Sequence, residues 1–341
     1  MIKFSETAKK RLSDQSAYLI ANRNSLVIDA DTHATDTANM HIEFKNRLNE
    51  SPNYYHGKPL SAEDLIAEMN MAGVDMSLIW QNPAATLYGT DREKNFEALL
   101  AANRYIFDSA IKYPERFIPA GWTDPKSLGI EGAIELTRIC IEEFGFPIVK
   151  MNPAQNAFPI TDELVTTVVD YIVGNGAIPA FHFGADTEFT PAAGLAEIAR
   201  RHPEHPIIGV HMGGGGASYP DTEQLCQDAR RMGLEQPNVR FALSAKRDTH
   251  IESDLITYTF AGEPYSKNMF CASDAPYGRM TWNFGGYRAM FNSLVDGKKH
   301  TDERVRNNPE LFNEEIVKNY MGRNFADLII DISQKLLDNR R

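Results

Sequence analysis

The sequence is short of several features that would mark other classes of protein. It holds only three cysteines, Cys140, Cys226 and Cys271, far apart and odd in number. Such a set offers neither a disulfide framework nor a zinc knuckle, and each reads as a buried thiol packing like a small hydrophobe. Positive charge is in deficit: 35 Lys and Arg stand against 46 Asp and Glu, a formal net charge of -11. A general nucleic-acid binder needs the opposite sign to replace phosphate counterions. No run approaches the ~20 apolar residues that span a bilayer, and MIKFSETAKKRLSDQSAYLIANRN lacks the apolar segment of a signal peptide. The expectation is a soluble, cytoplasmic protein with neither a membrane nor a nucleic-acid partner. No G-x-G-x-x-G follows the first apolar run and no Gly-Lys-Ser/Thr completes a phosphate-binding loop, which weighs against the common nucleotide-binding folds.

What is present is an ordinary globular composition, 43% hydrophobic and 24% charged over 341 residues, with room for a sizeable core. Eight short, β-rich apolar runs recur: SLVIDA, VDMSLIW, RFIPAGW, FPIVKMN, IPAFHF, PIIGVHM, NVRFAL and KNMFCAS. Between them lie segments with helical spacing, many opened by Ser, Thr or Asp and closed by Gly or Pro. Alternating strands and helices imply parallel pairing through crossovers. Eight units at roughly thirty-residue intervals predict an α/β fold of the (β/α)₈ barrel type, with an open doubly wound sheet as the competing architecture. Residues 34 to 60, including NESPNYYHGKP, read as a long polar loop of the kind that serves as a lid or binding element. The first 23 residues and about the last 30 read as added helices. No linker or repeat interrupts the chain, so residues 1–341 are expected to form one domain with the barrel core at about 25–300.

In such a barrel the chemistry sits at the C-terminal ends of strands. Four runs end in chemistry-bearing residues: Asp29-Ala30-Asp31-Thr32-His33, Phe181-His182-Phe183, Val210-His211-Met212-Gly213 and Ala272-Ser273-Asp274. Side chains two apart on a strand share a face, so Asp31 and His33 can converge on one metal ion. His182 and Asp274 add an imidazole and a carboxylate, a nitrogen and oxygen set suited to zinc, manganese or iron. Each residue also has a plainer reading: Asp274 as the cap of a turn at Ala275-Pro276-Tyr277-Gly278, His182 as a satisfied strand histidine. Four polar strand ends together are hard to obtain from packing alone, because buried polar groups cost stability unless they are satisfied.

These motifs resemble the amidohydrolase superfamily, in particular the branch of aminocarboxymuconate semialdehyde decarboxylase and related hydrolases, hydratases and aromatic-acid decarboxylases. The resemblance rests on DADTH (29–33), YPERFIPAG (113–121), GFPIVKMNP (145–153), FHFG (181–184), HMGGGGA (211–217) and SDAPYG (273–278), in family order. It implies that Asp31 and His33 are the first-strand metal pair, His182 the fifth-strand ligand, and Asp274 the eighth-strand ligand or base. His211 would stand beside the metal and act on the substrate. Asp31 departs from the histidine more usual at that position, and this bears on the charge and identity of the metal.

Lys150 ends the fourth run. Some relatives in the wider superfamily carry a carboxylated lysine there that bridges two metals, but one metal is usual in this branch, leaving substrate-carboxylate binding or a structural ion pair. Arg247, Asp248 and His250 follow the seventh run and Arg279 the eighth; either arginine is a candidate for an acidic substrate. Gly213–Gly216 read as a tight turn allowing close approach behind His211. Trp80, Tyr88 and Trp282 are candidate pocket aromatics, or core and rim residues. The expectation is therefore an enzyme with one divalent metal, zinc first and manganese or iron next, a small-molecule substrate, His211 and Asp274 as catalytic groups, and a homodimeric assembly. Hydrolysis of a C–N or C–O bond is preferred over non-oxidative decarboxylation because the aromatic-acid decarboxylases of the branch tend to carry glutamate where this chain has Gly214. The alternative of another class is a barrel without catalysis, acting as a scaffold.

Overall fold

A computed structural model describes residues 4–50, 57–184, 188–215 and 223–338. The eight apolar runs form eight parallel strands: β1 (Ile28–Ala34), β2 (Met76–Gln81), β3 (Phe117–Pro119 and Gly121–Trp122, interrupted at Ala120), β4 (Ile148–Met151), β5 (Ile178–His182), β6 (Ile207–Val210), β7 (Val239–Leu243) and β8 (Met269–Cys271). Nearly every strand residue is buried, as parallel strands covered on one face by helices and filled on the other must be. At the break in β3 the Ala120 N–H donates to Ile79 O (2.9 Å), keeping the strand bonded to β2.

The ring closes between β1 and the segment after β8. Thr32 bridges Ala275, the His33 N–H donates to Ala275 O at 2.7 Å, and the Asp274 N–H donates to Asp31 O at 2.9 Å. Closure therefore brings Asp31 and His33 beside Asp274. The fold is the (β/α)₈ barrel, with helical additions at both ends of the chain.

Those additions, Glu6–Asn22 and Asn324–Asp338, pack on each other. Buried Arg11 donates to the carbonyls of Phe144 and Gly145, and Gln15 donates to Phe117 O at 2.9 Å. These carbonyls lie at the starts of β3 and β4, so the N-terminal helix covers the rim opposite the strand ends that carry the chemistry. The caps read from sequence recur: Ser61 and Asp64 form a reciprocal capping box on Ala62–Ala72, which ends at left-handed Gly73. All three cysteines are buried, and none is in a disulfide. No described helix is long and apolar enough to cross a membrane.

The stretch 34 to 60 differs from the expected polar loop. It contains a helix, Ile42–Glu50; Met40 just before it and Phe44 within it are both buried. Much of NESPNYYHGKP, residues 51–56, lies outside the described residues, as do Gly216 and Ala217 of the glycine-rich segment.

Candidate metal centre

Asp31 is the hub of the barrel mouth. It is fully buried, and its Oδ1 accepts the Trp80 Nε1–H at 3.0 Å while lying 3.5 Å from Lys150 Nζ and 3.8 Å from His33 Nε2. Its Oδ2 accepts the Ser244 hydroxyl at 2.6 Å. Burial alone would raise the Asp31 pKa, but Lys150, His211, His33 and the Ser244 hydrogen bond hold it down to about 2. The group is a carboxylate.

His33 is oriented from behind. Its Nδ1 lies 2.8 Å from Gln81 O, and a carbonyl can only accept, so Nδ1 carries the proton and Nε2 presents a lone pair to the site. Nε2 is 3.4 Å from Asp274 Oδ1. Rings of Tyr277, Trp80 and Trp122 wall the imidazole at 5.4, 6.1 and 6.1 Å. Burial, and then the charge of Lys150, push its pKa down to about 3, the neutral form that a metal ligand requires.

Asp274 adopts a left-handed conformation, φ 59°. The turn read from sequence does form, but the backbone carbonyl caps it, accepting the Tyr277 and Gly278 N–H groups. One atom each of Asp31, His33 and Asp274 lies within 4.8 Å of the others. Bonds of about 2.0–2.2 Å fit the 3.4 and 3.8 Å that separate His33 Nε2 from Asp274 Oδ1 and Asp31 Oδ1, and one imidazole with two carboxylates suits a divalent ion. His182, read from sequence as a ligand, is not one of the three donors that cluster within 4.8 Å; its ring lies 4.7 Å from that of His211 and steeply inclined to it.

His211 ends β6 with φ 79°. Its Nδ1 is 2.8 Å from Ser244 Oγ. The serine proton is committed to the Asp31 carboxylate, so Oγ accepts from His211 Nδ1–H. That tautomer leaves the ring lone pair on Nε2. Ser244 escaped the sequence reading, although it ends the NVRFAL run just as Asp274 ends its own. Asp29, quoted in the first motif without a role, clamps the barrel seam: its carboxylate accepts the Ser273 N–H at 2.9 Å and the Ser273 hydroxyl at 2.5 Å. Burial pushes the Asp29 pKa up to about 8 against those hydrogen bonds.

The residues read as substrate-binding part company. Lys150, 1% exposed, has its Nζ enclosed between Asp31 and the faces of Trp80 and Trp122, at 3.8 and 5.2 Å from the ring centres. Burial lowers its pKa against the pull of Asp31 and Asp274. Trp80 is fully buried with its N–H on Asp31. Both stand behind the carboxylate rather than in an open pocket. Arg279 stacks on Trp282, which is 72% exposed, and faces Glu68 on a neighbouring helix. Arg247 is exposed at the start of the helix Asp248–Ala261, at the same mouth as the metal trio. Tyr88 donates to Gln155 (3.4 Å), and His250 lies 3.2 Å from Glu223.

A parallel eight-stranded barrel whose first and last strands meet around buried carboxylates and an imidazole defines a metal-dependent barrel enzyme. The family model described as amidohydrolase matches residues 28–272, and the chain belongs to the amidohydrolase family. No curated protein matches it in sequence. Among solved structures it is similar to 2,6-dihydroxybenzoate decarboxylase complexed with 2,6-dihydroxybenzoate, at 14% identity and TM-score 0.59, covering 89% of this chain and 99% of that one. It is also similar to a manganese-bound dihydroxybenzoic acid decarboxylase from Polaromonas sp. JS666 (13%, TM-score 0.60, 89% and 96% covered). A third is 5-carboxyvanillate decarboxylase from Novosphingobium aromaticivorans, complexed with manganese (15%, TM-score 0.61, 90% and 97% covered).

Proposed function

We propose that the chain is a metal-dependent, non-oxidative decarboxylase of a small hydroxylated aromatic acid or a related unsaturated acid. The observation that carries this reading is the likeness, over about nine-tenths of the chain, to decarboxylases of hydroxylated benzoates, two of them holding manganese. It reverses the preference for hydrolysis, which leaned on Gly214. A Cβ at that position would meet Ala245 O at 2.6 Å and Lys246 Cβ at 2.8 Å. Glycine there answers a packing demand, so it does not discriminate between the two reactions.

Asp31, His33 and Asp274, with His182 proposed as a fourth ligand, would hold a divalent ion, which when bound would supply Lewis acidity towards an acidic substrate; zinc is the first ion proposed, manganese and iron the next. The rest is done by the chain. With Nδ1–H committed to Ser244 and Asp31 Oδ2 3.8 Å from Nδ1, His211 delivers a proton from Nε2. The C–C bond to the carboxylate breaks and its electron pair stays on the ring carbon. That carbon takes the His211 proton, carbon dioxide leaves, and solvent reprotonates the imidazole. Lys150 and Trp80 act by holding Asp31, and Arg247 at the mouth is the group proposed to meet an acidic substrate. A cytoplasmic homodimer of one-domain subunits completes the proposal, to be checked by light scattering.

The test is turnover of protein reconstituted with zinc, manganese or iron on a panel of ortho-hydroxybenzoates and unsaturated diacids. In D₂O the product is expected to lack carbon dioxide and to gain one deuterium on carbon. Product carrying ¹⁸O from H₂¹⁸O with no carbon dioxide released would restore hydrolysis. A protein that binds no metal and is indifferent to chelation would favour the scaffold.

Two variants probe the roles assigned. His182→Ala is expected to lower metal occupancy, read by elemental analysis; full occupancy and activity would remove His182 from the ligand set. Ser244→Ala is expected to keep the metal and lose about tenfold in kcat, because His211 would no longer be held to one tautomer. An unaltered kcat and pH profile would make Ser244 a packing residue.

A further inference from the structure

Beyond the metal trio, a buried cluster of charges touches the backbone that presents His211. His211, Met212 and Gly213 have φ of 79°, 47° and 78° in succession. The left-handed region is sparsely populated by residues bearing a Cβ, so two such residues in a row persist only where the surroundings hold them. Backbone hydrogen bonds do part of this: the His211 N–H donates to Ala242 O, that of Gly213 to Phe183 O and that of Gly214 to His211 O, each at 2.9 Å. One side chain joins them. Lys246 Nζ donates to Met212 O at 2.9 Å.

Lys246 is itself fixed. Its side chain is 1% exposed and its Nζ lies 2.5 Å from Oδ2 of Asp254, which is wholly buried on the helix Asp248–Ala261. Asp254 Oδ1 accepts from Arg230 Nε at 2.7 Å, on the helix Glu223–Glu235. Replacing a buried ionic cluster by apolar residues is often neutral for stability, so its presence is weak evidence of a stabilising role. Its geometry points elsewhere. Ala245 is also left-handed, φ 48°, and that kink lets Ser244 reach the ring of His211 while Lys246 reaches the carbonyl of the next residue. The absence of a Cβ at Gly214 allows the two segments to meet.

We infer that Lys246, locked by Asp254, is a positioning residue for His211: it holds the Met212 carbonyl, and with it the left-handed turn that sets the imidazole against Ser244. The inference rests on the role given to His211 above, and its test does not require a substrate.

The experiment is ¹⁵N NMR of histidine-labelled, metal-reconstituted protein, with the His211 ring signals assigned by their loss in His211→Asn. The parent is expected to show the Nδ1–H tautomer. Lys246→Met leaves Asp254 paired with Arg230, so the fold is expected to survive, while the His211 signals move towards a mixture of tautomers. Lys246→Arg, which keeps a charged donor, should restore them in part. Once a substrate is known, Lys246→Met is expected to lower kcat about 10- to 100-fold with KM little changed, the scale of a small misplacement of a catalytic group. Should Lys246→Met not fold, Lys246→Gln, one bond shorter and still polar towards Asp254, is read for the same shift. Unmoved His211 signals in whichever of the two folds would overturn the inference. A failure to find decarboxylation with the signals moved as expected would instead leave the inference standing and remove the reaction.

Discussion

Replacing His211 with asparagine is expected to lower turnover by ~10²–10⁴-fold, the usual contribution of a proton-transfer group, with bound metal unchanged. Asparagine retains a polar group near Ser244 but has no proton to exchange at neutral pH. The parent ring is held from behind, with Nδ1 2.8 Å from Ser244 Oγ, which is 2.6 Å from the Asp31 carboxylate, and the proposed proton transfer would use Nε2. Elemental analysis and kcat measured on the same preparation decide the matter. Loss of metal in His211→Asn would make the residue a ligand, and retained turnover would pass the proton-transfer role to another group.

The barrel was legible because its strands are buried on both faces and so appear as unbroken apolar runs; each run corresponds to a strand, and the break in β3 at Ala120 is too local to disturb the pattern. Asp31, His33, His182, His211 and Asp274 were legible by one criterion, a polar residue ending an apolar run. The same criterion applied evenly would have found Ser244. Lys246 and Asp254 carry no such signal, because a loop lysine and a helical aspartate gain meaning only when folding buries them against each other. Trp80 and Lys150 were visible as residues but not as a pair: nothing in their separation of seventy positions tells that one ring would lie 3.8 Å from the other's ammonium, with Asp31 touching both. The helix Ile42–Glu50 was missed for a related reason, since its sequence is short and largely polar, with Phe44 its buried apolar side chain among the described residues.

Asp31→Asn is expected to cost both the metal and about 3–5 kcal/mol of stability, the penalty for removing one partner of a buried ion pair. The two losses have separate causes. The carboxylate oxygen facing His33 Nε2 also faces Lys150 Nζ at 3.5 Å, and both Lys150 and Asp31 are essentially without solvent contact. Take away the charge and the ammonium is left among Trp80, Trp122 and the remaining carboxylate of Asp274, where burial already disfavours its charged form. A neutral amide also makes a poorer donor for a divalent ion than a carboxylate does. The double variant Asp31→Asn, Lys150→Met separates the two effects. Methionine is of similar length and apolar, and removing the whole pair is often close to neutral, so denaturant unfolding should show most of the lost stability restored. Elemental analysis should still find the site without its metal, because nothing has replaced the ligand. Full metal occupancy in Asp31→Asn would show that Asp31 serves the site only as the anchor of Lys150, Trp80 and Ser244. Stability that fails to recover in the double variant would instead locate the cost in the hydrogen bonds of Trp80 and Ser244 to the lost carboxylate.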